Sequence, residues 1–374
     1  MTSTVSISYS GIKKIGVFVG FFILLLQITP ASLQAQVQAS EEPVKAEVTK
    51  IIDEGHRFIP GTNIETSYQK IEVEILEGKE KGEKTQVDNE SYSLSKGDLI
   101  FLEAIEESEG EYRYVFDQPD RTIPLLFLSL FFVAVILFFS FWKGIRSILS
   151  LVISLAIILF LLLPKLLEGA PPVSTSILFA SLIVASAMYI THGFNRVTHA
   201  AFLGTVITLI FTGLLSYLSV TTGKLSGLSS DEALFLNLET GGLLDMSGLL
   251  LGAIIIGILG ILDDVSITQA ATIRELYRVN PKLDIKTAYQ RAHSVGREHI
   301  VSLINTLVLA YAGASLPLLL LVTQSQQGFL NLINMEIFAT EITRTLVGSI
   351  GLIMAVPITT IIAAFLLKNR NTDQ

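Results

Sequence analysis

Two adjacent carboxylates, Asp263 and Asp264, occur where an apolar, glycine-rich segment should still be close to hydrocarbon, in the stretch GAIIIGILGILDDVSITQAATIREL at residues 252–276. A carboxylate inside a membrane is costly when it is charged, so it either takes up a proton or pairs with a cation. Two neighbouring acids also repel each other and titrate as a unit. The pair is therefore a candidate relay for protons or another ion.

Helical spacing predicts where these acids point. Residues three and four apart share a helix face, so one stripe should contain Ala253, Gly257, Gly260, Asp264, Thr268 and Ala271. Because the residues before Asp264 on this stripe are small, we expect Asp264 to face a tight helix interface, with Thr268 as its hydrogen-bond partner. The spacings Gly248 to Gly252 and Ala253 to Gly257 would let helices approach closely.

A second helix could complete the site. Asn305 and Thr306 would face the acids if the helix that carries them packs against the acid-bearing helix, although both could equally be ordinary polar contacts between helices. The acids also have a structural alternative. Asp263 lies about 27 Å along a helix that begins near Asp245, so the pair could mark the end of the span, and Asp264 could cap a following helix.

The elements that position these residues are membrane helices. Half of the 374 residues are hydrophobic and only 16% are charged, and apolar runs of about eighteen residues or more recur, each long enough to cross a bilayer. The sequence predicts a seven-helix transmembrane domain over residues 123–367, with spans at about 123–142, 147–167, 172–191, 198–220, 246–266, 300–322 and 345–367.

The charge distribution predicts the orientation. Lys and Arg cluster after the first, third and fifth spans and in the tail 368–374, whereas the other loops are nearly free of them. The positive-inside rule then places the C-terminus in the cytoplasm and residues 40–122 on the outer side of the membrane. Residues 40–122 hold 21 acidic and 10 basic residues, a net charge of −11, which argues against nucleic acid as a partner.

The segment before the first span should be a small exported domain. Residues 1–39 contain two lysines, a short apolar core and small residues, which indicate a signal peptide or, alternatively, an uncleaved membrane helix. In residues 40–122, five short alternating stretches are separated by turn residues. They predict a β-barrel of the OB or SH3 kind.

The chain resembles the YibE/F family of bacterial membrane proteins from about residue 45 to the C-terminus, which implies that it lies in a bacterial plasma membrane. The resemblance rests on LDDVSITQAATI, on ATEITRTLVGSIGLIMAVPITT and on the glycine-rich helices between them. The stretch GILGILDDVSITQAATIREL is also similar to the fourth helix of the RND superfamily, the proton-driven pumps and their SecD/SecF relatives. That similarity implies an RND-like helical core with an acidic proton relay, but only one of the two RND halves is present.

These observations predict a proton- or ion-coupled transporter, or an energy-coupling subunit of one. Its relay would be Asp263 and Asp264 with Thr268, Asn305 and Thr306, and a second copy or a related membrane protein would supply the missing half. The alternative is a non-transporting assembly protein whose β-domain binds a partner. No cofactor or metal is expected, because the chain has no Cys and its His residues lack tight ligand spacing. No enzyme is expected either, since HExxH, GxGD and P-loop motifs are absent.

Overall fold

The computed structural model describes residues 43–368, except 59–60, 62, 64, 79 and 109–110. The predicted signal peptide, residues 1–39, and residues 369–374 of the predicted tail lie outside the described part of the chain. The chain forms two compact units, Met1–Phe138 and Phe139–Gln374. The first holds a β-sheet, and the second holds most of the helices.

The sheet confirms the five predicted strands. All neighbouring strands pair antiparallel in the order β3-β2-β1-β4-β5, where the strands are β1 Val44–Phe58, β2 Glu65–Ile75, β3 Lys84–Asn89, β4 Leu99–Ser108 and β5 Glu111–Pro119. Their alternating apolar residues point to one face. The core of this face is fully buried and consists of Ala46, Val48, Ile71, Val73, Ile100 and Leu102.

The sheet is open, so the predicted closed OB- or SH3-like barrel is wrong. In the described residues, the strand order leaves β3 and β5 as edges that are not hydrogen-bonded to each other. Strand β1 pairs with β2 along most of its length but with β4 only over Val44–Glu47, and its pairing with β2 shifts between Val48 and Lys50 and between Ile51 and Asp53. Closure needs a continuous ladder around the sheet, which this arrangement does not provide.

The helical part begins directly after the sheet. Asp120 accepts a hydrogen bond from the Thr122 backbone N–H at 2.8 Å, at the start of the first helix. The helices are α1 Thr122–Ile157, a π-helical turn Ile158–Leu162, α2 Leu163–Leu167, α3 Pro172–His192, α4 Arg196–Gly223, α5 Asp231–Glu239, α6 Met246–Gly257, α7 Leu259–Val279, α8 Ile285–Ala314, α9 Leu316–Gln324, α10 Phe329–Asn334 and α11 Glu336–Lys368.

The described residues contain five helices long and apolar enough to span a membrane, or six if α8 and α9, bent by 68°, count as one span. The prediction of seven differs from this count by taking the segment Thr122–Leu167 as two spans. The first two predicted spans fall in one segment of 46 residues, Thr122–Leu167. Within it, only Ser140 and Phe141 leave helical backbone geometry. The charged stretch around Lys143, which suggested a loop, is helical instead.

Small residues let α11 pack closely against α4 at the centre of the bundle. A Cβ added to Gly204 of α4 would overlap the backbone and side chain of Thr359 on α11, and one added to Gly351 of α11 would overlap the Thr212 side chain. Such close contact between backbones is the usual source of helix association where lipid removes the hydrophobic driving force. Around this contact, α7 and α8 complete the core.

Candidate functional site

The helix that carries the acid pair is interrupted just before it. Asp245 caps the start of α6 by accepting a hydrogen bond from the Gly248 backbone N–H at 2.9 Å. The α6 helix ends at Gly257, and α7 starts at Leu259 after the single residue Ile258. Asp263 and Asp264 therefore lie in the second turn of α7, close to a break in the span.

Neither acid lies on the buried face of α7, although Asp264 was expected to face a tight helix interface. The buried face of α7 is formed by Leu262, Ser266, Gln269 and Ile273, all fully buried. At about 100° per residue, Asp264 lies about 180° from the middle of this face and Asp263 about 80° from it. Asp264 is accordingly exposed and Asp263 half-buried. The carboxylate of Asp264 thus does not enter a tight interface within this chain's own bundle.

The predicted stripe does share one face, but that face points outward. Ala253, Gly257, Gly260 and Asp264 are all exposed, and Thr268 is partly exposed. The described hydrogen bonds include none between Thr268 and Asp264; the Thr268 carbonyl instead accepts one from the Thr272 hydroxyl at 2.8 Å. A row of small residues that ends at a carboxylate is therefore left uncovered by the part of the chain that the structure describes.

The other predicted glycine pair packs as expected. A Cβ added to Gly248 would overlap Asp245 and Pro172, and one added to Gly252 would overlap the Ser176 hydroxyl, so α6 and α3 are in close contact. By contrast, a Cβ on Gly260 would meet nothing within 4 Å, and one on Gly257 would meet only the Tyr311 hydroxyl at 3.3 Å. Close packing thus involves one side of α6 only.

Asn305 and Thr306 do not meet the acids in this chain. Both side chains are exposed, and the Thr306 hydroxyl donates to the Ser302 carbonyl of its own helix at 3.0 Å. Helix α8 touches α7 elsewhere, where a Cβ added to Gly296 would overlap the Gln269 amide. The relay set predicted from the sequence is therefore not assembled within one copy of the chain.

The charges around the acids are sparse. Among the described residues, no Lys, Arg or His forms an ion pair with Asp263 or Asp264. The Asp264 carboxylate and the Lys143 ammonium both act electrostatically on His192 at the end of α3. The described residues also contain no group of three or more His, Asp or Glu that could hold a metal ion.

The YibE/F-like protein family matches residues 127–369, which is more than half of the chain and includes the acid pair and the α4–α11 core. The chain belongs to the YibE/F-like family. No curated protein and no solved structure matches it.

The YibE/F-like region also contains a buried polar layer that the sequence analysis missed. The Thr359 hydroxyl donates to the Ser266 hydroxyl at 3.2 Å, and the Thr360 hydroxyl lies 3.0 Å from the Gln269 side-chain oxygen. On α4, further hydroxyl residues are fully buried along the same core, namely Thr198, Thr205, Thr208, Thr212 and Ser216. Their spacing of three, four and seven residues was the available signal.

This layer joins α7 to α11 through two residues that follow the acids along α7, Ser266 and Gln269. Gln269 lies five residues after Asp264 on α7, and its side-chain nitrogen has no hydrogen-bond partner among the described residues. Hydrogen bonds between membrane helices stabilise their association modestly. The YibE/F-like core is therefore held at its centre by hydroxyl and amide contacts, with the carboxylates on the opposite side of the same helix.

Proposed function

We propose that this YibE/F-like protein is a proton- or ion-coupled transporter, or an energy-coupling subunit of one, in which Asp263 and Asp264 form the relay. The observation that carries the proposal is the exposed position of Asp264 at the end of an uncovered row of small residues. A carboxylate that faced lipid while charged would be strongly unfavourable. It must therefore be protonated, lie in water or face another protein.

A second protein surface satisfies this requirement best. Small residues favour close helix contact, and Ala253, Gly257 and Gly260 offer such a surface beside the acid. We infer that a second copy of the chain, or a related membrane protein, covers this row and completes the relay. Asn305 and Thr306, exposed on α8, would be further polar contacts across that interface.

The orientation that accompanies this proposal follows from the positive-inside rule, with the β-sheet extracytoplasmic and the C-terminus cytoplasmic. The segment Thr122–Leu167 is about 69 Å long at 1.5 Å per residue, more than twice a hydrocarbon core of about 30 Å. We propose that it supplies two spans, with the turn at Ser140 and Phe141.

Infrared difference spectroscopy of carboxyl groups tests the relay. The full-length protein in lipid vesicles would be taken stepwise through neutral pH. We expect a protonated carboxyl band that disappears in Asp263→Asn or Asp264→Asn but persists in Asp231→Asn, an exposed acid at the start of α5. If the two relay variants and the control give the same spectra as the unmodified protein, the relay proposal is wrong.

Cysteine cross-linking tests the second copy. Because the chain has no Cys, single Cys residues report contacts without background. Gly260→Cys should form disulfide-linked dimers in vesicles, whereas Leu214→Cys, on an exposed position of α4, should not. Equal cross-linking at both positions would contradict a specific interface. If the infrared test supports the relay but Gly260→Cys does not cross-link, the partner is a different protein and not a second copy.

A specific observation favours the second candidate, a non-transporting assembly protein. The open sheet leaves the edges of β3 and β5 available, and strand addition to an exposed edge is a common mode of peptide recognition. In that case the acids would mark the end of a span. Two results together would support this candidate. The infrared spectra of Asp263→Asn and Asp264→Asn would match that of the unmodified protein, and a Pro placed in β3 would abolish binding of a partner.

A further inference from the structure

A cleft opens at the end of the bundle where α4 ends and α6 begins. Its volume is about 550 Å³, within the range of small-molecule sites. Its walls come from α5, from the first half of α6, from the bend between α8 and α9 and from the start of α11. We call it the rim cleft, and the residues that define it are Glu232, Leu236, Ala253, Ser315, Thr340 and Arg344.

The rim cleft has a polar wall with unmet donors. Arg344 donates through Nη1 to Glu341 at 2.7 Å, which leaves the rest of its guanidinium for another acceptor. Among the described residues, Nε of Arg344 and Oγ1 of Thr340 are buried without a hydrogen-bond partner, and Thr340 is only 3% exposed. Buried donors of this kind usually have an acceptor, so the lack of an acceptor for these two atoms points to a ligand oxygen.

The same cleft also has an unpaired carboxylate. Glu232, an exposed residue, lines it from α5, and none of the ion pairs among the described residues includes Glu232. Hydrogen bonds from its own backbone N–H and from Ser230 lower the pKa of Glu232, so the group is charged. A ligand that suits both walls carries an anionic oxygen for Arg344 and Thr340 and a cation for Glu232.

The outer faces of the cleft walls are apolar and unpacked. Helix α5 turns Ala233 and Leu236 to the cleft, while Phe235 and Leu238 are 65% and 76% exposed on its other side. Helix α9 has no buried residue. In a membrane protein such surfaces lie against lipid. The rim cleft is therefore accessible from the bilayer rather than from water alone.

We propose that the rim cleft binds the head group of a zwitterionic phospholipid, with its phosphate at Arg344 and Thr340, its ammonium at Glu232 and its acyl chains in the surrounding bilayer. The cleft volume suits a head group and the first carbons of the chains. This inference does not depend on proton transfer by the acids, because the rim cleft shares no residue with the acid pair and only Ala253 with the row of small residues beside it.

Native mass spectrometry of the delipidated full-length protein tests the assignment. Two probes with identical acyl chains are added in turn, namely phosphatidylethanolamine, which carries the ammonium, and phosphatidylglycerol, which does not. We expect about tenfold tighter binding of phosphatidylethanolamine, the effect of one charge-assisted hydrogen bond. Glu232→Gln should abolish this preference, and Glu232→Lys should reverse it, whereas Glu239→Gln on the same helix should leave it unchanged.

Two further variants, with one control, separate binding from folding. Arg344→Gln should weaken both lipids about tenfold, while the control Lys165→Gln, which breaks an exposed pair of the same i,i+3 spacing, should weaken neither. Ala233→Phe fills the cleft without removing a charge and should also reduce binding of both. Equal binding of the two lipids to the unmodified protein, or unchanged binding in Glu232→Gln and Ala233→Phe, would overturn the proposal.

The water-soluble head group glycerophosphoethanolamine distinguishes lipid from an aqueous zwitterion. We expect it to compete only weakly with phosphatidylethanolamine, because it lacks the acyl chains that hold a lipid beside the cleft. Competition as strong as that of the lipid itself would overturn the assignment to a phospholipid.

Discussion

The contact between α4 and α11 can be tested with a single methyl group. Gly204→Ala places a Cβ where it would lie 2.9 Å from the Thr359 Cα and 2.8 Å from its Cβ. Neither atom can move without moving the α11 backbone, so the two helices must separate. Gly260→Ala is the matched control at protein concentrations where the chain is monomeric in detergent, because the added Cβ meets no described atom of the same chain within 4 Å.

The expected magnitude follows from two opposing effects. Overpacking a close contact typically costs about 1–3 kcal/mol, whereas replacing glycine by alanine in a helix gains about 1 kcal/mol or less. Gly204→Ala should therefore change the free energy of unfolding from near zero to about 2 kcal/mol less stable. Gly260→Ala should be neutral or slightly stabilising. The helix-propensity gain largely cancels between them, which leaves a difference of about 1–3 kcal/mol.

Thermal unfolding of the two variants in the same detergent, followed by circular dichroism, measures this difference. For a unit of roughly 200 residues, 1 kcal/mol shifts Tm by about 2–4 °C. Gly204→Ala should thus melt several degrees below Gly260→Ala. Equal melting temperatures would mean that α4 and α11 are not in backbone contact at Gly204, and the central packing described above would be wrong.

Three further predictions concern other contacts. The first concerns the Thr360 hydroxyl and the Gln269 side chain. In a double-mutant cycle measured by unfolding in detergent, Gln269→Leu and Thr360→Val should show a coupling free energy of about 0.6 kcal/mol and at most about 1.7 kcal/mol. A coupling of zero would mean that the two side chains are not hydrogen-bonded. The second concerns the Glu336 carboxylate, which accepts hydrogen bonds from the backbone N–H groups of Ser226 and Gly227 at 2.7 and 2.9 Å. Glu336→Ala should lower the free energy of unfolding by about 1–3 kcal/mol, and Glu336→Gln should lower it by less. Equal Tm values for the two variants would contradict this. In the sheet, the hydrogen bond and ion pair with Lys45 lower the pKa of Asp120 to about 2 from 3.8. This contribution to stability is fully present above pH 3.8 and lost as the pH falls towards 2. The protection factors of the β1 and β4 amides against hydrogen exchange, corrected for the pH dependence of intrinsic exchange, should therefore fall over that range, and less so in Lys45→Met.

The β-strands could be predicted because their information is local. Alternation and turn residues identify each of the five stretches, and each lies in a strand of the structure. Closure of the sheet is not local, since it depends on whether the first and last strands in the sheet order meet. The pairing shifts in β1 around Val48 and Ile51 are part of that geometry, and the side-chain pattern does not reveal them.

For the acid pair, too, the local features could be predicted and the non-local ones could not. Spacing correctly predicts that Gly260 and Asp264 share a face of α7, because helical periodicity is a local property. The neighbouring helices determine which face of α7 is buried. Here the hydroxyls of Thr359 and Thr360 on α11 contact the face that carries Ser266 and Gln269. Small residues were interpreted as an internal interface, but Gly260 is exposed. Small size permits close packing without specifying which molecule supplies the partner.

The predicted and the observed span numbers differ where charged residues follow a kink. Lys143 and its neighbours indicate a loop by the positive-inside pattern, and the backbone leaves helical geometry just before them, at Ser140 and Phe141. The chain is helical again from there on, because long side chains such as lysine can extend towards water from within a helix. Charge therefore indicates the position of the kink but not the length of the connection.

Proton flux into vesicles tests the proposed relay most directly. The full-length protein is reconstituted with a pH-sensitive dye inside, a pH gradient is imposed, and Asp263→Asn, Asp264→Asn and the double variant are compared with Asp231→Asn. The relay predicts protein-dependent flux that is lost in all three acid-pair variants and kept in Asp231→Asn. Flux that is absent from the unmodified protein, or unchanged in the double variant, would contradict the relay and leave the acids as the end of a membrane helix.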